Sequence, residues 1–352
     1  MKPRILFICP DIAEPSGGIK QIYRQVDVLN NIGYDALVVH QNYGFKPQWF
    51  DFKTPVEYHY MIHAELNNQP AIRPQWYIKL RAVQLTRNDV EILNSDILVL
   101  PEAYGPQINK VYPSHSKVVY NQGCYLSLLD FPIQVSASET PYLHPKTIAT
   151  LVNSDDAINY LKLAFDDITI FKIHHFIDTK VFKPTKKKKQ IIFMSRKNYE
   201  DIKQVIQINN LRKNIDNWTI IDLNQLSHSE VAQTMNESSI FLSSNLDEGF
   251  SLPSIEAMAS GCLVIGYPGK GGNEYFKEEF SLPVPEKDIH QFALKLEEGI
   301  QKIEKQPNYL SEIALKSRKF IDEHYSETRE RKDIQTAWDS ILKINAKITN
   351  AN

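Results

Sequence analysis

The sequence predicts an α/β protein built from two Rossmann-like domains. It has 352 residues, which is long enough for two domains of ordinary size. Short apolar runs alternate with helical patterns through both halves, as expected when parallel strands are joined by crossover helices. A lysine-rich segment separates the halves at residues 177–190. We therefore expect domains at 1–176 and 191–328, an exposed linker between them, and a C-terminal helix at 329–352.

The composition is that of an ordinary globular protein. Hydrophobic residues make up 42% of the chain, charged residues make up 23%, and the net charge is −2, so nothing favours nucleic acid as a partner. Cys9, Cys124 and Cys262 lie in or beside apolar runs, and we expect buried thiols in a reducing compartment. No apolar run approaches the ~20 residues that span a bilayer, and no secretory signal precedes the first strand. We expect a cytoplasmic protein, with peripheral contact to the inner face of the membrane as an alternative.

The N-terminal segment predicts a β-α-β unit with a glycine pair in its first loop. Apolar runs at 4–10 and 34–40 predict strands, and the pattern from Ile19 to Ile32 predicts the helix between them. Gly17 and Gly18 lie where the loop meets this helix. They either bring the backbone close to a ligand or serve a turn that needs positive φ. They do not form a G-x-G-x-x-G motif, so a dinucleotide site is not predicted.

Polar residues end a strand-like run in the remainder of the first domain. Runs at 96–102, 117–125 and 147–154 predict further strands. Asn121 and Gln122 come directly after the apolar part of the second run. Their amides could hydrogen-bond a sugar or satisfy a turn.

Two other features of this half have alternative interpretations. Residues 73–87 carry four basic side chains among aromatic and apolar ones, which favours an amphipathic surface helix over a membrane-binding face. His174 and His175 are adjacent, so on a strand they would face opposite sides and could not bind the same metal. His175 is kept as a candidate for a ligand site.

The second domain opens with an apolar run that ends in cations. The run from Ile191 predicts a strand that leads into Arg196 and Lys197. A second run at 218–223 predicts another strand, and three helical patterns follow Pro285. Two cations at the carboxyl end of a strand favour an anionic ligand there.

The most informative stretch runs from residue 243 to residue 272. An apolar strand leads into a loop with Glu248, and Pro253 fits the first position of a helix. This places Glu256 in the first helical turn, where free N–H groups favour an anion, and Gly261 ends the helix. Six of the 13 glycines in the chain fall in this stretch, which suggests backbone drawn close to a ligand.

The two glutamates resemble the E-x(7)-E signature of retaining GT-B glycosyltransferases of the family 4-like type. The flanking run EGF-LP--EAMA-GC-V matches that pattern as it stands here. The resemblance extends over most of the chain and is specific from about Val152 onward. It implies two Rossmann-like domains facing a cleft, with the C-terminal helix crossing back to the first domain.

The resemblance also implies roles for individual residues. Glu248, Arg196 and Lys197 would be catalytic. A nucleotide-diphosphate sugar donor would contact Glu256, the loop residues Gly249, Phe250, Ser251 and Leu252, and also Gly17, Gly18 and Lys203. Asn121, Gln122 and His175 are candidates on the side of the glycan or lipid-linked acceptor. The motifs MSRKNYED and LSHSEVA resemble a branch of bacterial enzymes that build polysaccharides.

The sequence argues against a metal or other cofactor. It contains no D-x-D motif, so the charge of a departing diphosphate would have to be met by Arg196, Lys197 and the helix dipole.

The donor sugar stays open among rhamnose, mannose, galactose and glucose derivatives, and no feature indicates an oligomeric state. Alternative functions are a nucleotide-sugar epimerase of GT-B fold and a non-catalytic GT-B partner subunit. A NAD-dependent enzyme is disfavoured because the dinucleotide fingerprint is missing.

Overall fold

The computed structural model describes residues 3–67, 86–224 and 226–351 of the chain. The chain divides into two compact units, here called the first unit and the second unit. The first unit contains Met1–Asn153, Ala157–Ile173 and Arg331–Asn352, and the second unit contains Ser154–Asp156 and His174–Glu330.

A parallel sheet organises the first unit. Among the described residues it has seven strands in the order β3-β2-β1-β4-β5-β6-β7, and every neighbouring pair is parallel. The strands are β1 (Ile5–Ile8), β2 (Ala36–His40), β3 (Val56–Tyr58), β4 (Ile97–Pro101), β5 (Ser116–Asn121), β6 (Thr147–Val152) and β7 (Ile170–Lys172). Strands β1 and β4 are buried at every position, which is why they read as unbroken apolar runs.

Helices connect the strands of this sheet. They are α1 (Gly17–Asn31), α2 (Tyr60–Leu66), α3 (Gln107–Lys110) and α4 (Asp155–Ala164). Helix α1 buries Ile19, Ile22 and Val26 on one face, which matches the predicted helical pattern.

The second unit repeats the same construction. Its described strands form a parallel sheet in the order β12-β11-β10-β8-β9. They are β8 (Lys188–Phe193), β9 (Thr219–Asp222), β10 (Ser238–Asn245), β11 (Leu263–Pro268) and β12 (Ser281–Pro283). The helices are α5 (Tyr199–Leu211), α6 (His228–Glu237), α7 (Leu252–Ala259), α8 (Ile289–Lys305) and α9 (Tyr309–His324).

The C-terminal helix, α10 (Glu327–Ala351), belongs to the first unit from Arg331 onward. Trp338 is fully buried, and its ring centroid lies 6.2 Å from that of Phe7 in β1. Ile334 and Ile341 are buried in the same core cluster. The predicted α/β class and the predicted packing of this helix on the first domain are therefore confirmed.

The connection between the two units differs in detail from the expected linker. The chain passes from the first to the second unit after Ile173, whereas the sequence places the end of the first domain at residue 176. Strand β8 begins at Lys188, inside the segment 177–190.

Lys187 is part of the fold, although it lies in the lysine run that we expected to be solvated. Its Nζ donates to the carbonyl of Asn236 at 3.0 Å and to the carbonyl of Ser260 at 2.6 Å. These carbonyls lie at the C-terminal ends of α6 and α7, where a cation stabilises the helix dipole. Burial lowers the pKa of the Lys187 ammonium.

Each sheet has one position where the strand order reverses. In the first sheet this switch point lies between β1 and β4, and in the second it lies between β8 and β10. In open α/β sheets, ligands bind in the crevice outside the carboxyl ends of the two strands at the switch point. The loops that follow β1, β4, β8 and β10 are therefore the places to look for functional side chains.

Three remaining expectations concern thiols and membrane contact. Cys9, Cys124 and Cys262 are buried free thiols, as predicted. Of the basic stretch 73–87, residues 73–85 lie outside the described part of the chain. Within the described ranges, no helix has both the length and the apolar character needed to cross a membrane.

Candidate active site

The loop that carries Glu248 follows β10 at the switch point of the second sheet. The N–H of Gly271 donates to the carbonyl of Glu248 at 3.1 Å, which ties this loop to the turn after β11. A Cβ atom on Gly271 would lie 1.9 Å from the carbonyl oxygen of Gly249, so only glycine fits there. The loop shape is therefore fixed by contact between two stretches of backbone.

This geometry changes the explanation for the cluster of glycines. We expected the glycines to bring the backbone close to a ligand. Instead, Cβ atoms on Gly266, Gly269 and Gly271 would come within 2.1, 2.7 and 1.9 Å, respectively, of other atoms of the protein. The glycines allow β11 and its following turn to pack against β10 and the Glu248 loop.

Lys197 and Glu248 are brought together across the switch point. The Lys197 ammonium forms an ion pair with Glu248, and both side chains are 27% exposed. The Ser244 hydroxyl donates to the carbonyl of Lys197 at 2.6 Å, and the Asn198 amide donates to the carbonyl of Ser244 at 2.7 Å. These bonds fix the loop after β8 against the end of β10, so Lys197 and Glu248 face the same crevice.

The other two cations predicted for this site lie in different surroundings. Arg196 is exposed in the same loop as Lys197. Lys203 lies on the exposed face of α5 and pairs with Glu200 at 4.0 Å. Of the two candidate lysines, Lys197 is the one that contacts a predicted site residue.

Glu256 lies one residue further into its helix than expected. Helix α7 begins at Leu252, so Pro253 is the second helical residue and Glu256 is the fifth. The prediction that Glu256 lies in the first turn is wrong, because Ser251 and not Leu252 is the N-cap. The Glu256 side chain is partly exposed.

Helix α7 ends where the sequence predicts. Gly261 has φ of +77°, and its N–H donates to the carbonyl of Met258 at 3.0 Å. The N–H of Cys262 donates to the carbonyl of Ala257 at 2.9 Å, which completes a Schellman motif.

Two loop residues predicted to contact the donor are buried. Phe250 packs its ring 5.0 Å from that of His175 and 5.1 Å from that of Tyr275. The Ser251 hydroxyl lies 3.2 Å from that of Ser254, inside the unit. The side chains of Phe250 and Ser251 are thus part of the packing beneath the loop and are not available to a ligand.

Tyr275 is a supporting residue that the sequence does not reveal. Its hydroxyl donates to the carbonyl of Ser251 at 2.9 Å and accepts the N–H of Ser251 at 3.3 Å. Burial raises the pKa of this phenol far above its usual range, so it stays protonated as a donor. The N–H of Ser251, one of the four loop residues expected to contact the donor, therefore already has a partner.

His175 lies beneath the same loop. Strand β7 ends at Lys172, so His174 and His175 follow the strand, and the argument from strand alternation does not apply. His175 is 3% exposed and belongs to the second unit, where it packs edge-on against Phe250. A direct contact of His175 with an acceptor is not supported by this position.

The first unit has its own polar cluster at the switch point between β1 and β4. Gly17 and Gly18 are the first two residues of α1, and neither has positive φ, which removes the turn explanation for the pair. The Gln122 amide donates to the carbonyl of Gly18 at 3.3 Å. The structure thus brings together one glycine and one amide that the sequence proposed separately.

Asn121 serves the turn and not an open surface. It is fully buried, and its amide donates to the hydroxyls of Ser127 at 2.6 Å and Tyr142 at 2.7 Å. Of the two adjacent candidates, only Gln122 is partly exposed.

Glu102 is a second residue that the sequence analysis missed. It follows β4 directly and accepts N–H groups from the Gln122 loop, and burial raises its pKa to about 7. Its place in the sequence is a partial signal, because Glu102 directly follows a buried strand, as Gln122 does.

The edge of the second sheet has the features of an anion site with a nearby carboxylate. It combines two cations after β8, the start of α7, and Glu248 after β10. Such an arrangement can bind a diphosphate and place a carboxylate against a group that becomes positively charged.

Comparison with known proteins identifies similar glycosyltransferases. Residues 213–317 match the family described as glycosyl transferases group 1. The alpha-1,6-glucosyltransferase of Actinobacillus pleuropneumoniae serotype 7 (strain AP76) is 25% identical over 204 residues. This match covers 53% of the chain and 57% of the relative, so it spans little more than half the length of that protein.

Solved structures match over nearly the whole chain. A mutant of S. aureus TarM in complex with fondaparinux, alpha-GlcNAc-glycerol and UDP has a TM-score of 0.65 and 12% identity, and the match covers 97% of this chain and 99% of that one. HepE from Anabaena in complex with UDP and glucose has a TM-score of 0.64 and 13% identity. That match covers 96% of this chain and 100% of the HepE chain. The chain therefore has the GT-B fold, and the residues that match the glycosyl transferases group 1 family lie within its second unit.

Proposed function

We propose that this protein transfers a hexose or deoxyhexose from a nucleotide-diphosphate sugar to a glycan or glycolipid acceptor. In this proposal the anomeric configuration is retained, no metal takes part, and the product belongs to a surface polysaccharide. The observation that carries the proposal is the pairing of Lys197 with Glu248 at the switch point of the second sheet. The group 1 match over residues 213–317 supports the reaction class.

The second unit would hold the donor. Glu256 would accept hydrogen bonds from two ribose hydroxyls, which suits an ionised carboxylate. The Lys197 ammonium has three donors, so it can contact Glu248 and a phosphate oxygen together. Arg196 would offer a planar pair of donors to the same diphosphate.

The chemical step breaks the bond between the anomeric carbon and the diphosphate oxygen. The electron pair leaves with the diphosphate, whose added negative charge is stabilised by Arg196, Lys197 and the start of α7. Glu248 would stabilise the positive charge that develops on the sugar. The acceptor oxygen then bonds the anomeric carbon on the face that the diphosphate leaves, and its proton passes to a diphosphate oxygen.

Two substitutions test the site assignment. UDP-glucose, UDP-galactose, GDP-mannose and dTDP-rhamnose are screened for release of the nucleoside diphosphate, and the best donor is used. We expect Arg196→Ala to lower kcat by ~10²-fold, the scale for losing one charge-stabilising donor. Glu256→Ala should raise the donor KM. Full activity in both variants would refute the assignment.

The remaining parts of the proposal have separate measurements. NMR of the product reports whether the anomeric configuration is retained. Activity that survives EDTA supports a metal-free step, and activity that returns only on adding Mg²⁺ contradicts it. Conversion of the nucleotide sugar with no glycosylated product would favour the epimerase alternative.

A further inference from the structure

The first unit carries a buried carboxylate at its switch point for which the proposed reaction has no role. Glu102 is 5% exposed at the carboxyl end of β4. One of its oxygens accepts the N–H of Gln122 at 3.0 Å, and the other accepts the N–H of Gly123 at 2.7 Å. A carboxylate that binds two successive N–H groups fixes the orientation of both peptide groups.

Gln122 is held from three sides. Besides the bond to Glu102, its carbonyl accepts the Asn153 amide at 3.0 Å, and its own amide nitrogen donates to the carbonyl of Gly18 at 3.3 Å. A Cβ on Gly18 would lie 3.2 Å from the Gln122 amide oxygen, so a larger residue would crowd it. Gln122 as a residue is partly exposed, and within the described part of the chain its amide oxygen accepts no hydrogen bond.

We propose that Glu102 is a positioning residue that acts through Gln122. Glu102 fixes the backbone at Gln122 and Gly123. The amide oxygen of Gln122 is thereby oriented to accept a hydrogen bond from a hydroxyl group of a sugar substrate beside the start of α1. This inference rests on the proposed glycosyl transfer. The hydroxyl belongs to the donor sugar or to the acceptor sugar, and both offer the same hydrogen-bond donor.

The chemistry of Glu102 argues for a role beyond holding a turn. A neutral acceptor would hold two N–H groups without placing a charge inside the unit. Burial raises the pKa of Glu102 to about 7, so near neutral pH both the ionised and the protonated forms are populated. Protonation leaves one of the two N–H groups with the weaker acceptor of an acid hydroxyl, and the position of Gln122 should then depend on pH.

The experiment compares Glu102→Gln, Gln122→Ala and the double variant. Hydrolysis of the best nucleotide sugar from the screen is measured without an acceptor, and transfer is measured to p-nitrophenyl hexosides. We expect Glu102→Gln to lower kcat/KM at least 10-fold. The NH₂ group of the new glutamine would face a backbone N–H, of Gln122 or Gly123, that needs an acceptor. The double variant should fall no more than twofold below Gln122→Ala alone, since the two residues act in series.

Two controls accompany these variants. Glu57→Gln changes an exposed carboxylate of the same unit and should stay within twofold of the wild type. The kcat/KM of the wild type should fall as the pH drops through about 7, and this decline should be absent in Glu102→Gln. A loss in hydrolysis and transfer together identifies the donor sugar, and a loss in transfer alone identifies the acceptor sugar.

Several results would overturn the inference. Wild-type kinetics in Glu102→Gln would do so, as would losses that multiply in the double variant. If Glu102→Gln does not fold, full activity in the partly exposed Gln122→Ala would also refute it. Failure of the proposed function is recognised separately, because it would show as full activity of Arg196→Ala and Glu256→Ala.

Discussion

At the scale of single residues, the ion pair between Lys197 and Glu248 fixes the position of two loops more than it stabilises the fold. Both side chains are 27% exposed, and ion pairs that are this accessible to solvent contribute ~0–1 kcal/mol to the free energy of unfolding. The pair joins loops 51 residues apart in sequence and sets the position of the ammonium. In the proposed reaction, an ammonium fixed in this way needs no reorganisation when charge develops on the leaving group.

This argument predicts different outcomes for two lysines. Lys197→Ala should lower kcat/KM by ~10²-fold with the best nucleotide sugar, because one charge-stabilising donor is lost. Lys203→Ala should stay within twofold, since Lys203 is exposed on α5 and pairs only loosely with Glu200. Steady-state kinetics of both variants test this, and equal losses would show that the two lysines had been wrongly distinguished.

Tyr275 supports the loop through a single hydroxyl. Tyr275→Phe keeps the ring and leaves both the N–H and the carbonyl of Ser251 without this partner in a buried position. We expect the free energy of unfolding to fall by about 1–3 kcal/mol, and the donor KM to rise because the loop before α7 loosens. Tyr199→Phe alters a phenol on an exposed residue and should change stability by less than about 0.5 kcal/mol. Equal stability of the two variants in urea unfolding would contradict this.

The pKa of Glu102 makes stability depend on pH with a definite sign. Burial raises this pKa from 4.5 to about 7, so the folded protein holds a proton that the unfolded chain loses earlier. The stabilisation is complete below pH 4.5 and is lost as the pH rises through 7, by about 3 kcal/mol in total. Urea unfolding at pH 5 and pH 8 should show this loss in the wild type but not in Glu102→Gln. The same slope in both proteins would mean that Glu102 is ionised at both pH values.

At the scale of elements, the sequence predicts the buried strands and helix ends that local apolar runs and glycines determine. The buried strands β1 and β4 are recognisable in the sequence because parallel strands covered on both faces are continuous apolar runs. The start of α7 was misplaced by one residue, since the proline rule allows more than one position near the N-terminus. The sequence does not reveal that Lys187 is bonded within the fold, because its partners are carbonyls that lie far along the chain.

The C-terminus of α7 yields a prediction with a matched control. Gly261 and Gly33 have nearly the same φ, +77° and +85°, but a Cβ on Gly261 would lie 3.0 Å from Pro184 and 3.1 Å from Ala314. Nothing lies within 4 Å of a Cβ on Gly33. Gly33→Ala should lower the free energy of unfolding by ~1–2 kcal/mol, the price of a left-handed residue. Gly261→Ala should lower it by at least ~1 kcal/mol more because of the contacts. Equal losses in urea unfolding would contradict the steric contribution.

At the scale of the whole molecule, the sequence could locate two sheets but not every partner of the site residues. Glu248 was predicted from its flanking motif, whereas its contact with Lys197 depends on the order of β8 and β10 in the sheet. Glu102 and Tyr275 have no motif, and their roles depend on backbone groups brought near by the fold. The sequence therefore marks Glu248 through its neighbours, but it does not mark side chains whose partners are backbone groups distant in sequence.

The division of the C-terminal helix between the units gives the last prediction. Trp338 is fully buried against β1 of the first unit, so Trp338→Ala should destabilise that unit by about 3–5 kcal/mol. Trp218 is 7% exposed in the core of the second unit, and Trp218→Ala serves as the matched substitution there. Hydrogen exchange under native conditions should become faster in β1 and β4 for Trp338→Ala, and faster in β8 and β10 for Trp218→Ala. Faster exchange in all four strands for either variant would mean that the two units unfold as one, and α10 would then be a shared element of a single cooperative structure.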